Sequence, residues 1–163
     1  MEPDIRRVVT FKSTAFNVTE PRSYFINECC FGDDLGKWLL TELRSRGHRT
    51  DDEPGQEDFG WYLNFEIAGI GHCLVLLYRP DDVQEGATWI GELERKRGFS
   101  GSILGRRKQG IQRSAVEAIH NILVGFPGIQ DVRWHRQEDF DKGIENQGST
   151  SPAISNGRAD TGE

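Results

Sequence analysis

The apolar residues fall into segments of two distinct periods, separated by polar stretches rich in Gly, Pro, Asp and Ser. Leu35, Trp38, Leu39 and Leu43 lie on one face of a helix that begins near Gly32-Asp33-Asp34. Asp33 or Asp34 can cap the free amides of the first turn and complement the positive end of the dipole. Arg44 and Arg46 suit the other end, and Gly47 supplies a left-handed stop. A second helix is predicted over 112–124, with Ala115, Ile119, Ile122 and Leu123 facing inward and Gly125-Phe126-Pro127-Gly128 ending it.

A period of two marks the strands. Trp61, Leu63, Phe65 and Ile67 alternate with Tyr62, Asn64 and Glu66, as in a half-buried strand. Ala68-Gly69-Ile70-Gly71 makes a hairpin connection to Cys73–Tyr78, which is apolar on both faces and so belongs at the centre of a sheet. Pro80-Asp81-Asp82 turns the chain into a third meander strand, Thr88 to Glu94. A first strand is predicted near Arg7 to Val18, and Val132 with Trp134 marks a last one. Tyr24-Phe25-Ile26 reads as a short packed segment, and His48 to Asp58, acidic around Pro54-Gly55, as an exposed loop.

The order is strand, helix, three meandering strands, helix, strand. It predicts an α+β two-layer sandwich, a largely antiparallel sheet of about five strands with two helices on one face. The strand–helix–strand connections at either end leave parallel neighbours open at the sheet edges. Residues 1–140 are expected to form a single domain, and residues 141–163 a disordered polar tail with little to bury.

Composition narrows the setting. A chain of 163 residues fits one domain and is large enough to fold without disulfides or a metal. Three cysteines, two of them the adjacent Cys29 and Cys30, do not make a disulfide scaffold, so a reducing cytoplasm is the expected location. The longest apolar run, Cys73 to Tyr78, is far short of a membrane helix. The net charge of −6 opposes general affinity for nucleic acid or anionic membrane. That average hides a segregation. Arg95, Lys96, Arg97, Arg106, Arg107, Lys108 and Arg113 form a run of seven cations without a carboxylate, which leaves 13 basic and 26 acidic residues elsewhere.

This basic, glycine-rich connection is the strongest functional signal in the sequence. Its glycines permit close backbone approach to an anion, and its cations suit phosphates or an acidic protein patch. It lacks the ending of a Walker loop and the aromatic ladder of an RNA-binding sheet. Its bland alternative is a solubilising loop.

Other chemistry is weaker. Cys29-Cys30, just ahead of the first helix, could hold an activated thiol, or two small packed residues. His48, His72, His120 and His135 show no metal-ligand spacing, and no motif calls for a cofactor. Glu92 and Glu94 share one strand face and are the most site-like of the paired carboxylates, although solvated strand faces look the same. Phe59, Trp61 and Tyr62 border the acidic Glu57-Asp58, as interface aromatics or as the start of a core strand.

At Phe31-Gly32-Asp33-Asp34-Leu35 with Trp38-Leu39, and at Glu57-Asp58-Phe59-Gly60-Trp61-Tyr62, the chain resembles small bacterial single-domain proteins of uncharacterised families. Its size, acidity and two-layer organisation are similar to those of immunity proteins of bacterial toxin systems. The resemblance implies a binding protein and brings no catalytic residues with it. The expectation is therefore a non-enzymatic, cytoplasmic module that binds another protein, with the seven cations as contact residues. A small thiol or carboxylate enzyme, and a nucleic-acid or phosphate binder using residues 95–113, are the alternatives.

Overall fold

The computed structural model describes residues 5–80, 87–96, 106–107 and 110–152. Its strands are β1 (Val8–Ser13), β2 (Gly55–Glu57), β3 (Gly60–Ile67), β4 (Ile70–Pro80), β5 (Ala87–Lys96), β6 (Arg106–Arg107) and β7 (Ile129–His135). Its helices are α1 (Asp33–Ser45), α2 (Arg113–Val124) and α3 (Gln137–Asp141). The strands build one open sheet in the order β2-β3-β4-β5-β1-β7, with β6 paired to the end of β5. It is the expected α+β sandwich.

Every pairing among the described residues is antiparallel, so neither helical connection produces there the parallel neighbours left open by the element order. The reason is that β1 inserts between β5 and β7. The α1 connection then crosses to the far edge, and the α2 connection returns beside β1.

The register explains the layering. Trp61, Leu76, Gly91, Val9 and Trp134 are successive partners across five strands and form one row on one face. All five are buried. Gly91 is required in that row, because a Cβ there would lie 2.9 Å from Val9 Cγ1 and 3.2 Å from Leu74 Cδ1. Leu35, Leu39, Leu40 and Leu43 of α1, and Ala115, Ile119, Ile122 and Leu123 of α2, join these residues in a single core. The opposite face is mixed, its central row running Tyr62, Val75, Glu92, Val8 and His135.

Local signals act as their chemistry demands at one end of α1 and not at the other. Gly47 takes φ +88. The amides of Gly47 and His48 bond back to Arg44 and Leu43, closing the helix in a Schellman motif. At the start, Gly32 is the N-cap and neither aspartate caps the helix from that position. Asp34 instead accepts the amides of Leu35 (2.9 Å) and Asn17 (2.7 Å), and Asp33 accepts the Tyr24 hydroxyl, so both tie down the preceding loop.

Two polar stretches are more ordered than their sequences suggest. Within the expected loop at 48–58, Thr50 bridges Phe65 and β2 pairs with β3. This short polar strand covers the outer edge of β3, which would otherwise present unpaired amides and carbonyls. Residues 141–152, expected as the start of a tail, are tied to the sheet. Trp134 and Ser149 exchange backbone bonds of 2.7 and 2.8 Å, and Arg6 donates to the Gln147 carbonyl at 2.9 Å. The remaining tail positions, 153–163, lie outside the described residues.

Candidate functional site

The loop before α1 contains Tyr24, Phe25 and Ile26, and only the middle residue is buried. Without a regular backbone to alternate faces, one anchor turns inward and its neighbours are left outside. Phe25 packs edge-on against Phe31 and Trp61, with ring centroids 5.9 and 5.5 Å away. Tyr24 is 50 % exposed and Ile26 58 %. The β2–β3 turn presents Phe59, 44 % exposed, beside the exposed Asp58. Hydrogen bonds join these two segments. Gln56 accepts the Ile26 amide and donates to the Tyr24 carbonyl, while Asn27 and the Cys30 thiol donate to the Asp58 carbonyl. Trp61 Nε1 donates to the Cys30 carbonyl at 2.8 Å and fastens the assembly to the core.

Tyr24, Ile26 and Phe59 are thus three large apolar side chains left exposed on two hydrogen-bonded segments, here termed the ridge. Glu20, Glu28, Glu57 and Asp58 outnumber Arg22 and Lys37 along these segments. Lys37 Nζ lies 5.7 Å from the centre of the Tyr24 ring. The bond to Asp33, together with desolvation, pushes the Tyr24 phenol up to about 12, so it stays a protonated donor at neutral pH. The two readings of Phe59, Trp61 and Tyr62 divide by residue. Trp61 is core, and Tyr62 lies where a Cβ on Gly55 would overlap its ring. Phe59 is exposed, whereas Tyr24 and Ile26 were hidden in a segment read as packed.

The cationic run lies at the other end of the strands. Arg95 pairs with Arg107 and Lys96 with Arg106, which makes the stretch begin and end as a β-ribbon rather than a loop throughout. Arg97 and Lys108 lie outside the described residues. Arg95 serves the fold, donating to the Gly110 carbonyl at 3.1 Å, and Gly110 at φ +79 leaves room for it. Lys96 passes over Gly71 and lines a groove of about 440 Å³ with Arg44, His48, Arg49, Asp51 and Glu66. Arg113 forms an exposed pair with Glu117 at 2.9 Å, a contact worth roughly 0.3–0.5 kcal/mol. The fold thus brings Arg95, Lys96, Arg106 and Arg107 together and sets Arg113 on α2.

The remaining candidates are engaged elsewhere. Burial and the neighbouring Cys29 push the Cys30 thiol up, away from the thiolate a nucleophile needs. His72 Nε2 accepts the Gln112 amide at 3.1 Å, so its Nδ1 carries the proton and donates to the Ile70 carbonyl at 3.0 Å. His120 accepts from Trp134 Nε1 at 3.0 Å, and His135 Nε2 lies 2.8 Å from the Thr10 hydroxyl. Burial lowers all three imidazoles below their ordinary value. Glu92 and Glu94 act on Arg7, opposing the effect of its burial. Among the described residues, no group of three or more His, Cys, Asp or Glu is arranged to hold a metal ion, and no helix is long and apolar enough to cross a membrane. No protein-family model, curated protein or solved structure matches the chain.

Proposed function

We propose that this chain is a protein-binding module that engages its partner through the Tyr24–Ile26–Phe59 ridge. The observation that carries this reading is the joining of three exposed large apolar side chains on two segments held in register by hydrogen bonds. Such a surface loses little conformational freedom on binding, and aromatic anchors inside a charged rim are the usual centre of a protein interface. The acidic excess along the ridge favours a cationic partner. The resemblance to immunity proteins supports the same reading, with a toxin as the partner. The raised Cys30 thiol and the occupied histidines give the thiol-enzyme alternative less support.

The test replaces Tyr24, Ile26 and Phe59 with Ser and compares capture of the partner with that by wild type. Loss of more than about 2 kcal/mol of affinity, with the folded circular dichroism spectrum retained, is the expected result. Undiminished capture would exclude the ridge.

A second reading follows from the pairing of β5 with β6, which concentrates cations on one ribbon. In it, Arg95, Lys96, Arg97, Arg106, Arg107, Lys108 and Arg113 bind a polyanion, either an acidic protein patch or nucleic acid. Reversing Arg106, Arg107 and Lys108 should then abolish a strongly salt-dependent interaction. Affinity that is independent of salt would reject it.

A further inference from the structure

The open face of the sheet carries a polar groove of about 450 Å³, separate from both the ridge and the ribbon. Register places its side chains in adjacent rows. Arg79, Thr88 and Lys12 are successive partners, as are Ile90, Thr10 and Arg133 in the next row, and Val8 with His135 in the row after that. The groove therefore gathers two guanidinium groups, an ammonium and two hydroxyls on one sheet face.

Three features show a built site rather than a solvated sheet face. First, the Thr10 hydroxyl in the groove lies 2.8 Å from Nε2 of His135, a ring only 2 % exposed, so a buried side chain fixes its position. Gly148 lies against this ring, since a Cβ there would come 2.6 Å from Cε1 and 3.0 Å from Nδ1. Second, the β1–β7 ladder shifts register between Thr10 and Lys12, and Asp131 in the bulged strand takes φ 57. A bulge of this kind re-aims side chains, at the cost of a strained residue. Asp131 accepts Arg133 Nε at 3.0 Å, so the bond engages the inner nitrogen of the guanidinium.

Third, the groove already holds an oxyanion. Glu145 receives both terminal nitrogens of Arg79, at 3.1 and 2.9 Å, in the fork geometry that guanidinium offers to carboxylate or phosphate. Glu145 sits on an exposed stretch, and the two side chains are 38 % and 43 % exposed. Both side chains are open to solvent, so a solute oxyanion can reach Arg79 and compete with the carboxylate for the same fork.

We propose that this groove binds the carboxylate or phosphate group of a small-molecule ligand, which takes the place of Glu145 on Arg79 and reaches Arg133, Lys12 and Thr10. The volume suits a compact metabolite. The site is independent of the protein-binding reading, because the ridge residues take no part in it.

Isothermal titration with inorganic phosphate and with malonate, at constant ionic strength, tests the proposal on the full chain. Saturable binding of one anion is expected, and the preferred anion identifies the ligand as phosphate- or carboxylate-bearing. Glu145→Gln should tighten it at least threefold, and Arg133→Gln should weaken it at least tenfold with an unchanged circular dichroism spectrum. Titration of wild type followed by histidine NMR needs no variant, and the His135 resonance should move toward saturation. Absence of saturable binding in both wild type and Glu145→Gln would overturn the site. So would a stationary His135 resonance, or binding that Arg133→Gln leaves intact.

Discussion

The two ends of the strands solve the problem of presenting a charged surface differently. At the ridge, Trp61 reaches from the buried row to the Cys30 carbonyl, and Phe25 and Phe31 pack beneath the exposed Tyr24. The outer residues are thereby coupled to the core. At the basic end, the ribbon rests on two paired residues of β6, on the Arg95–Gly110 bond and the His72 bridge to α2, and on a single apolar anchor between them, the buried Ile111. Charge was the louder signal in the sequence, but charge alone does not order a surface. An interface with apolar anchors needs the coupling found at the ridge, whereas an electrostatic contact works from a lightly held one.

The largest way to break this contrast is Trp61→Ala. It removes a buried indole from the central row and leaves the Cys30 carbonyl without its donor. A loss of about 3–5 kcal/mol in urea unfolding is expected, with ridge binding lost at the same time. A loss below about 1 kcal/mol would show that the ridge is not coupled to the core as described.

How much of this was legible follows the same division. The two helices and the β3–β4 hairpin were readable because long apolar periods are set by burial, which composition alone can signal. The run of cations was equally visible, but its pairing into a ribbon depends on backbone partners that charge does not encode. Tyr24 and Ile26 were missed for a physical reason. In an irregular segment no period says which of three apolar neighbours points inward, and the answer is set by Trp61, remote in sequence. Cover by β2 was hidden because an edge strand of Gly-Gln-Glu has no apolar face. The Thr10–His135 pair was invisible because it joins the first and last long strands of the chain.

A middle-sized test uses pH. His72, His120 and His135 are held neutral by burial, with folded values below the unfolded one of about 6.5. The unfolded chain therefore binds more protons over that interval. Their contribution to stability is complete above about pH 6.5 and is lost as pH falls through the folded values. The urea midpoint should drop between pH 7.5 and 5.5. His72→Leu should cost about 1–3 kcal/mol at pH 7.5, because the Gln112 amide loses its acceptor, and it should flatten the acid slope. A slope unchanged in this variant would assign the acid sensitivity to His120 and His135.

The smallest expected effect sharpens the comparison most cleanly, because it alters the basic end without altering its charge. The β3–β4 hairpin closes between Ile67 and Ile70, with Ala68 at φ 51 and Gly69 at φ 76. Two positive φ angles define a type I′ turn, and the first is held by a residue with a Cβ. Left-handed backbone costs a non-glycine residue about 1–2 kcal/mol, whereas glycine also loses more freedom on folding. Ala68→Gly should therefore stabilise the domain by no more than about 1 kcal/mol, measured by urea unfolding. The turn leads directly into Gly71, over which Lys96 passes. If the ribbon acts only through its charge, Ala68→Gly will leave any salt-dependent binding unchanged while raising stability. A shift in that binding would show instead that the basic end, like the ridge, depends on how firmly its backbone is held.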